Sequence, residues 1–246
     1  MTDIDTINAM SAEELAARLS GAPEDRVAII RTAAEAGVAD AQAVLGQMLL
    51  DGRDMPADPA SAFGWFNRAA AQDHLMALNM VGRCYDLGWG VAIDKARAAE
   101  CYRVAAERGL EWGMYNYATL LTLGEGVAQD RVAALEWFRK AAAMGNAKAM
   151  NYIGSFHEDG WVVERDMGIA ADCYAKAAEG GDFRGQFNHA RMLADAGDVS
   201  QALAWLARVR ESATPAFLAK AEAFLRASPI ADLQERGPAA LAGDEI

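Results

Sequence analysis

The chain has 246 residues, 53% hydrophobic and 24% charged, a globular composition long enough for one large domain or two small ones. With 35 acidic against 23 basic residues the formal charge is −12, which counts against nucleic-acid binding. Three cysteines without a CxxC spacing (Cys84, Cys101 and Cys173) exclude a disulfide or zinc framework, and no apolar run suits membrane insertion.

Residues 1–10 lack the basic start and apolar run of a signal peptide; they are expected to be disordered and the protein cytoplasmic. Residues 11–38 are expected to form N-terminal capping helices: Ser11 and Glu14 frame a capping box, and Asp25 to Gly37 is a lone helix of the type called B below. From there the chain repeats. Ala-Ala pairs stand at Ala33-Ala34, Ala69-Ala70, Ala105-Ala106, Ala141-Ala142 and Ala177-Ala178, each step being 36 residues. Gly46, Gly82, Ala118, Gly154 and Ala190 share that period, as do Gly52, Gly88, Gly124 and Gly160, and Asp58, Asp94, Asp130 and Asp166.

These markers define one unit. Helix A carries apolar residues at helical spacing, with a small residue at the Gly46 place where a neighbour approaches closely. A glycine at the Gly52 place closes it in the left-handed conformation. Asp58 and its equivalents then cap helix B, which carries Trp65-Phe66, Cys101-Tyr102, Trp137-Phe138 or Cys173-Tyr174 before its Ala-Ala pair. Residues 39–182 make four complete units and 183–212 a fifth with a shortened loop; 213–227 form a C-terminal capping helix and 228–246 a loose tail with a possible short helix near Leu233.

The third unit reads YATLLTLGEGVAQDRVAALEWFRKAAAMG over Tyr117 to Gly145, and the second matches it over Val81 to Gly109. This pattern resembles Sel1-like repeats, relatives of the tetratricopeptide repeat. The first and fourth units depart from it, with Asp54 and Val162 in place of the second loop glycine. The resemblance implies an all-α fold, an α-solenoid of antiparallel helix pairs wound as a right-handed superhelix, with helices A lining its concave side. It also implies a non-catalytic scaffold or adaptor that binds another protein or peptide. Secreted relatives staple each unit with cysteines; here those places hold Leu78 and Ala106, Met114 and Ala142, and Met150 and Ala178. A hydrolase of the kind suggested for those relatives, or an envelope carbohydrate-related binder, are the alternative readings.

With Gly46 as register, the ligand-facing places implied by the tetratricopeptide relation lie six and three residues before it and one and four after. From these places we single out Met76, Asn79, Arg83, Trp112, Tyr115, Lys148, Asn151, Arg184, Phe187 and Arg191 as the candidate binding face. The asparagines can bond a peptide backbone, the cations a carboxylate, and the apolar side chains can anchor a segment. Packing between units is the competing account, above all for Trp112 and Tyr115. Trp89 and Trp161 recur in the A–B loop as a possible second contact or self-association surface, although rings folded back over the neighbouring loop are the preferred reading. No catalytic residue, metal site or cofactor is expected. His74, His157 and His189 are dispersed, and the glycines from Gly88 follow a helix rather than the strand a phosphate loop requires.

Overall fold

A computed structural model describes residues 3–243. Its helices are α1 (Ile4–Ala9), α2 (Ala12–Ser20), α3 (Pro23–Glu35), α4 (Ala39–Asp51), α5 (Pro59–Ala70), α6 (Leu75–Leu87), α7 (Lys95–Glu107), α8 (Glu111–Leu123), α9 (Arg131–Ala143), α10 (Ala147–Asp159), α11 (Met167–Glu179), α12 (Phe183–Asp195), α13 (Val199–Val209), α14 (Pro215–Arg226) and α15 (Ala231–Ala242). No strand occurs among the described residues. The fold is an all-α solenoid: helices α2 to α8 and, separately, α9 to α13 each pack on their neighbours in sequence, and α15 packs on α13 and α14. The chain divides into two compact units, Met1–Gln129 with α1 to α8 and Asp130–Ile246 with α9 to α15. Helices α4, α6, α8, α10 and α12 are of type A.

Local chemistry sets the helix ends. Asp58, Asp94, Asp130 and Asp166 each cap a B helix, accepting the N–H three residues on at 2.9–3.0 Å. Each cap satisfies an N–H of the first turn that has no partner within its own helix. Gly52, Gly88, Gly124 and Gly160 end the A helices with φ of 68–75°. The loop glycine Gly90 has no room for a side chain, because a Cβ there would meet the Pro59 carbonyl. Asp54 and Val162 hold the corresponding left-handed place without glycine, at φ 63° and 54°. Asp54 is anchored by Arg26, whose Nε donates to Oδ2 at 2.7 Å.

In the first, second and fourth repeats the aromatic ring of helix B lies on the bare glycine backbone of helix A. A Cβ on Gly82 would sit 2.7 Å from Tyr102, and one on Gly154 would sit 2.6 Å from Tyr174. Between repeats the Ala-Ala pair receives the next A helix: Gly113 closes on Ala105, and Gly185 on Ala177. Small residues at both contacts let helix axes approach and bury the rings, with Phe66, Tyr102, Phe138 and Tyr174 all at most 1% exposed.

The two ends differ from expectation. Where residues 1–10 are expected to be disordered, Asp3 caps α1 by accepting the Thr6 N–H at 2.7 Å. The tail expected to be loose holds the twelve-residue helix α15 in spite of Pro238. Burial explains it: Leu233, Ala240 and Leu241 join Leu225 and the α13 residues Leu203 and Leu206 in one cluster. Gly237 also lies against Leu225, so tertiary packing overrides the breaker residues. Residues 1, 2 and 244–246, which belong to those two expected segments, lie outside the described residues.

Candidate functional site

The register of the A helices decides which side chains reach solvent. The place three residues before the small residue holds Ala43, Asn79, Tyr115, Asn151 and Phe187. Asn79 and Asn151 are not available to a ligand as expected, being only 3% and 6% exposed. Asn79 Oδ1 accepts from Asn116 Nδ2 at 2.9 Å, joining α6 to α8. Asn151 accepts from Asn188 at 2.9 Å in the same way, joining α10 to α12. Both place their amides between successive A helices because the solenoid brings residues 37 apart face to face there. Phe187 is likewise packed, 8% exposed, with its ring edge-on to Phe217 at 5.7 Å and Phe224 at 5.6 Å.

Arg191 is engaged internally as well. Its Nη1 and Nη2 donate to Glu158 at 2.9–3.1 Å, and Nη2 also reaches Asn188 Oδ1 at 3.3 Å. Glu158 accepts a further bond from the Tyr174 hydroxyl at 2.6 Å. Desolvation pushes the Glu158 carboxyl up, but the hydrogen bonds from Arg191 and Tyr174 outweigh it and hold the group below the ordinary glutamate range. The equivalent Asp86 accepts from Lys95 and from the Tyr102 hydroxyl, and Lys95 also pairs with Glu125 at 2.9 Å.

The remaining candidates stand at or near the surface. Met76 is 39% exposed. Trp112 and Tyr115 are half-buried and meet edge to face at 6.2 Å. Lys148 is half-buried in the first turn of α10, and Arg184 is exposed with its guanidinium 4.5 Å above the Phe183 ring. Arg83 is half-buried and lies 4.7 Å over the ring of Trp89. Trp89 is therefore a covered ring rather than an open contact. Trp161 is half-buried too, with Arg131 above it at 4.4 Å and Phe156 edge-on at 5.6 Å.

Sequence reasoning missed a gap. Between α4 and α6 an apolar pocket of about 430 Å³ opens to solvent, floored by Phe66 and Met80. Ala43, Val44, Met76 and Ala77 wall it, and Asp40, Gln47 and His74 stand at its rim. The signal was present in the register: alanine at residue 43 where other repeats carry Asn, Tyr or Phe. His74 caps α6, its Nδ1 accepting the Ala77 N–H at 3.0 Å, which leaves the ring proton on Nε2, 3.2 Å from Asp40 Oδ1.

Cys84 is buried and Cys101 half-buried, and desolvation pushes both thiols up to about 11, so they stay protonated at neutral pH. Among the described residues no group of three or more His, Cys, Asp or Glu side chains is placed to hold a metal ion. No helix among them is long and apolar enough to cross a membrane.

The sequence model of the Sel1 repeat matches residues 39–74, 75–110, 113–146 and 147–182. Among solved structures, c5321, a protective antigen of uropathogenic Escherichia coli with an SLR fold, is 29% identical over 97% of this chain and 55% of its own, with a TM-score of 0.72. A Sel1 repeat protein from Oxalobacter formigenes is 26% identical over 78% of this chain and 57% of its own, with a TM-score of 0.68. The chain thus spans little more than half the length of either. A putative Sel1 repeat protein from Klebsiella pneumoniae subsp. pneumoniae shares the fold at 20% identity and a TM-score of 0.54, over 75% of this chain and 92% of its own. No curated protein matches the chain.

Proposed function

Because the chain belongs to the Sel1 repeat family, whose members generally mediate protein–protein interactions, we propose that it is a non-catalytic scaffold binding a protein or peptide through its helix-A face. The observation that carries this reading is the open pocket between α4 and α6, where apolar side chains reach solvent: Val44 is 46% and Met76 39% exposed. Exposed apolar surface rimmed by polar groups is the usual mark of a recognition site. Met76, Arg83, Trp112, Tyr115, Lys148 and Arg184 remain the candidate contacts; Asn79, Asn151, Phe187 and Arg191 serve the stack instead.

Affinity capture tests the reading with wild type beside two variants. One carries Met76→Asp with Arg184→Glu on helices A; the other carries Glu136→Arg with Arg139→Glu on the exposed side of α9. The helix-A variant should lose partners that the α9 variant keeps. Capture lost only by the α9 variant would place binding elsewhere.

A further inference from the structure

The pocket between α4 and α6 is open where the α6/α8 and α10/α12 junctions are filled by an amide pair, and its shape and its charge both point to a kind of ligand. We propose that it docks a peptide segment in which an aliphatic side chain stands beside a lysine or arginine. This deepens the reading of the helix-A face given above and rests on it.

The apolar half of the argument is space. Between α6 and α8 the same place is filled by the Asn79–Asn116 amide pair, and between α10 and α12 by Asn151–Asn188. Between α4 and α6 the corresponding residues are Ala43 and Met80, which cannot form that bond. Ala43 is too short to close the gap, so the 1% exposed ring of Phe66 and the 7% exposed Met80 form a floor beneath open space. A volume of about 430 Å³ holds an aliphatic side chain and part of its backbone, within the usual range for ligand pockets.

The second half is charge. Among the described residues no lysine or arginine lines the pocket. Its formal negative charge is Asp40, whose side chain is 91% exposed. His74 gives Asp40 a single Nε2 contact and spends its other nitrogen on the α6 cap. A cation entering beside the apolar side chain would therefore meet a solvent-facing carboxylate, and the net charge of −12 favours its approach. An acidic ligand would be repelled at the same rim. The cations expected to receive a carboxylate do not line this pocket, and Arg191 is already held by Glu158.

The test uses the full chain with carbon-13 methionine methyls, the Met76 and Met80 signals being assigned from Met76→Leu and Met80→Leu. The probe is a capped Gly/Ser peptide of about ten residues with a central leucine flanked by two lysines. Companion peptides replace both lysines by glutamate, or the leucine by serine. The lysine–leucine peptide should shift the Met76 and Met80 methyls, and both companions should bind about ten-fold more weakly or less. Ala43→Phe should abolish binding by filling the gap; Tyr115 and Phe187 show that a large ring is accepted at this register. Asp40→Lys, at a side chain 91% exposed, should weaken the lysine–leucine peptide about five-fold without altering the fold.

Equal binding of the glutamate peptide, shifts confined to other methionines, or methyl shifts that follow protein concentration alone would each overturn the proposal; the last would identify a second copy of the chain as occupant. A silent peptide panel, with capture still lost by Met76→Asp and Arg184→Glu, removes this pocket assignment and leaves the scaffold reading standing. Peptide shifts at Met76 and Met80, with capture unchanged in that variant, remove the scaffold reading and keep the pocket.

Discussion

The junctions α4/α6 and α6/α8 lie in the same compact unit and share a backbone plan, yet one is open and the other closed. In the closed junction two asparagines, 37 residues apart, bond at 2.9 Å and are largely hidden from solvent. In the open one, alanine and methionine leave a pocket. One register place therefore serves two ends. A polar pair there ties successive repeats together and fixes their register, whereas a small apolar residue gives up that tie and leaves an open apolar pocket.

The sharpest way to break the contrast is from below. Phe66→Ala removes the pocket floor and a ring packed on α4, and should cost about 3–5 kcal/mol in urea unfolding. A loss under about 1 kcal/mol would mean that the ring does not hold α4 and α5 together.

The closed junction α10/α12 carries a second tie, Arg191 on Glu158, with side chains 20% and 21% exposed. Arg191→Ala should cost about 2–3 kcal/mol at neutral pH, since it strips a half-buried carboxylate of its bidentate partner. The pH dependence follows in sign. The Glu158 carboxyl is held below its ordinary range, so its contribution is present above that range and lost as pH falls through the lowered native value. Thermal midpoints of wild type and variant should therefore converge on acidification. A gap that widened in acid would contradict the assignment.

A smaller effect measures the amide tie itself. Asn79→Ala and Asn116→Ala should each cost about 1–2 kcal/mol, with the double variant costing less than the sum because both remove one bond. Simple additivity would show that the two amides act independently.

Much of this architecture is legible in the sequence. The period, the Asp caps and the closing glycines depend on chemistry within a few residues, which sequence displays directly. Whether Asn79 faces solvent or α8 depends on Asn116, a partner one repeat away, and register alone does not reveal that. The information was nonetheless present: Asn79 with Asn116 and Asn151 with Asn188 repeat the same spacing. Helix α15 was illegible for a similar reason. Gly237 and Pro238 read locally as breakers, and only distant burial against Leu225 and α13 makes them helical. The pocket was hidden because it is made by what Ala43 lacks.

The central claim, that this register place decides between tie and pocket, is tested most directly by exchanging the residues. The full chain carrying Ala43→Asn with Met80→Asn should close α4/α6 and lose binding of the lysine–leucine peptide. Binding unchanged from wild type in that folded variant would contradict the account.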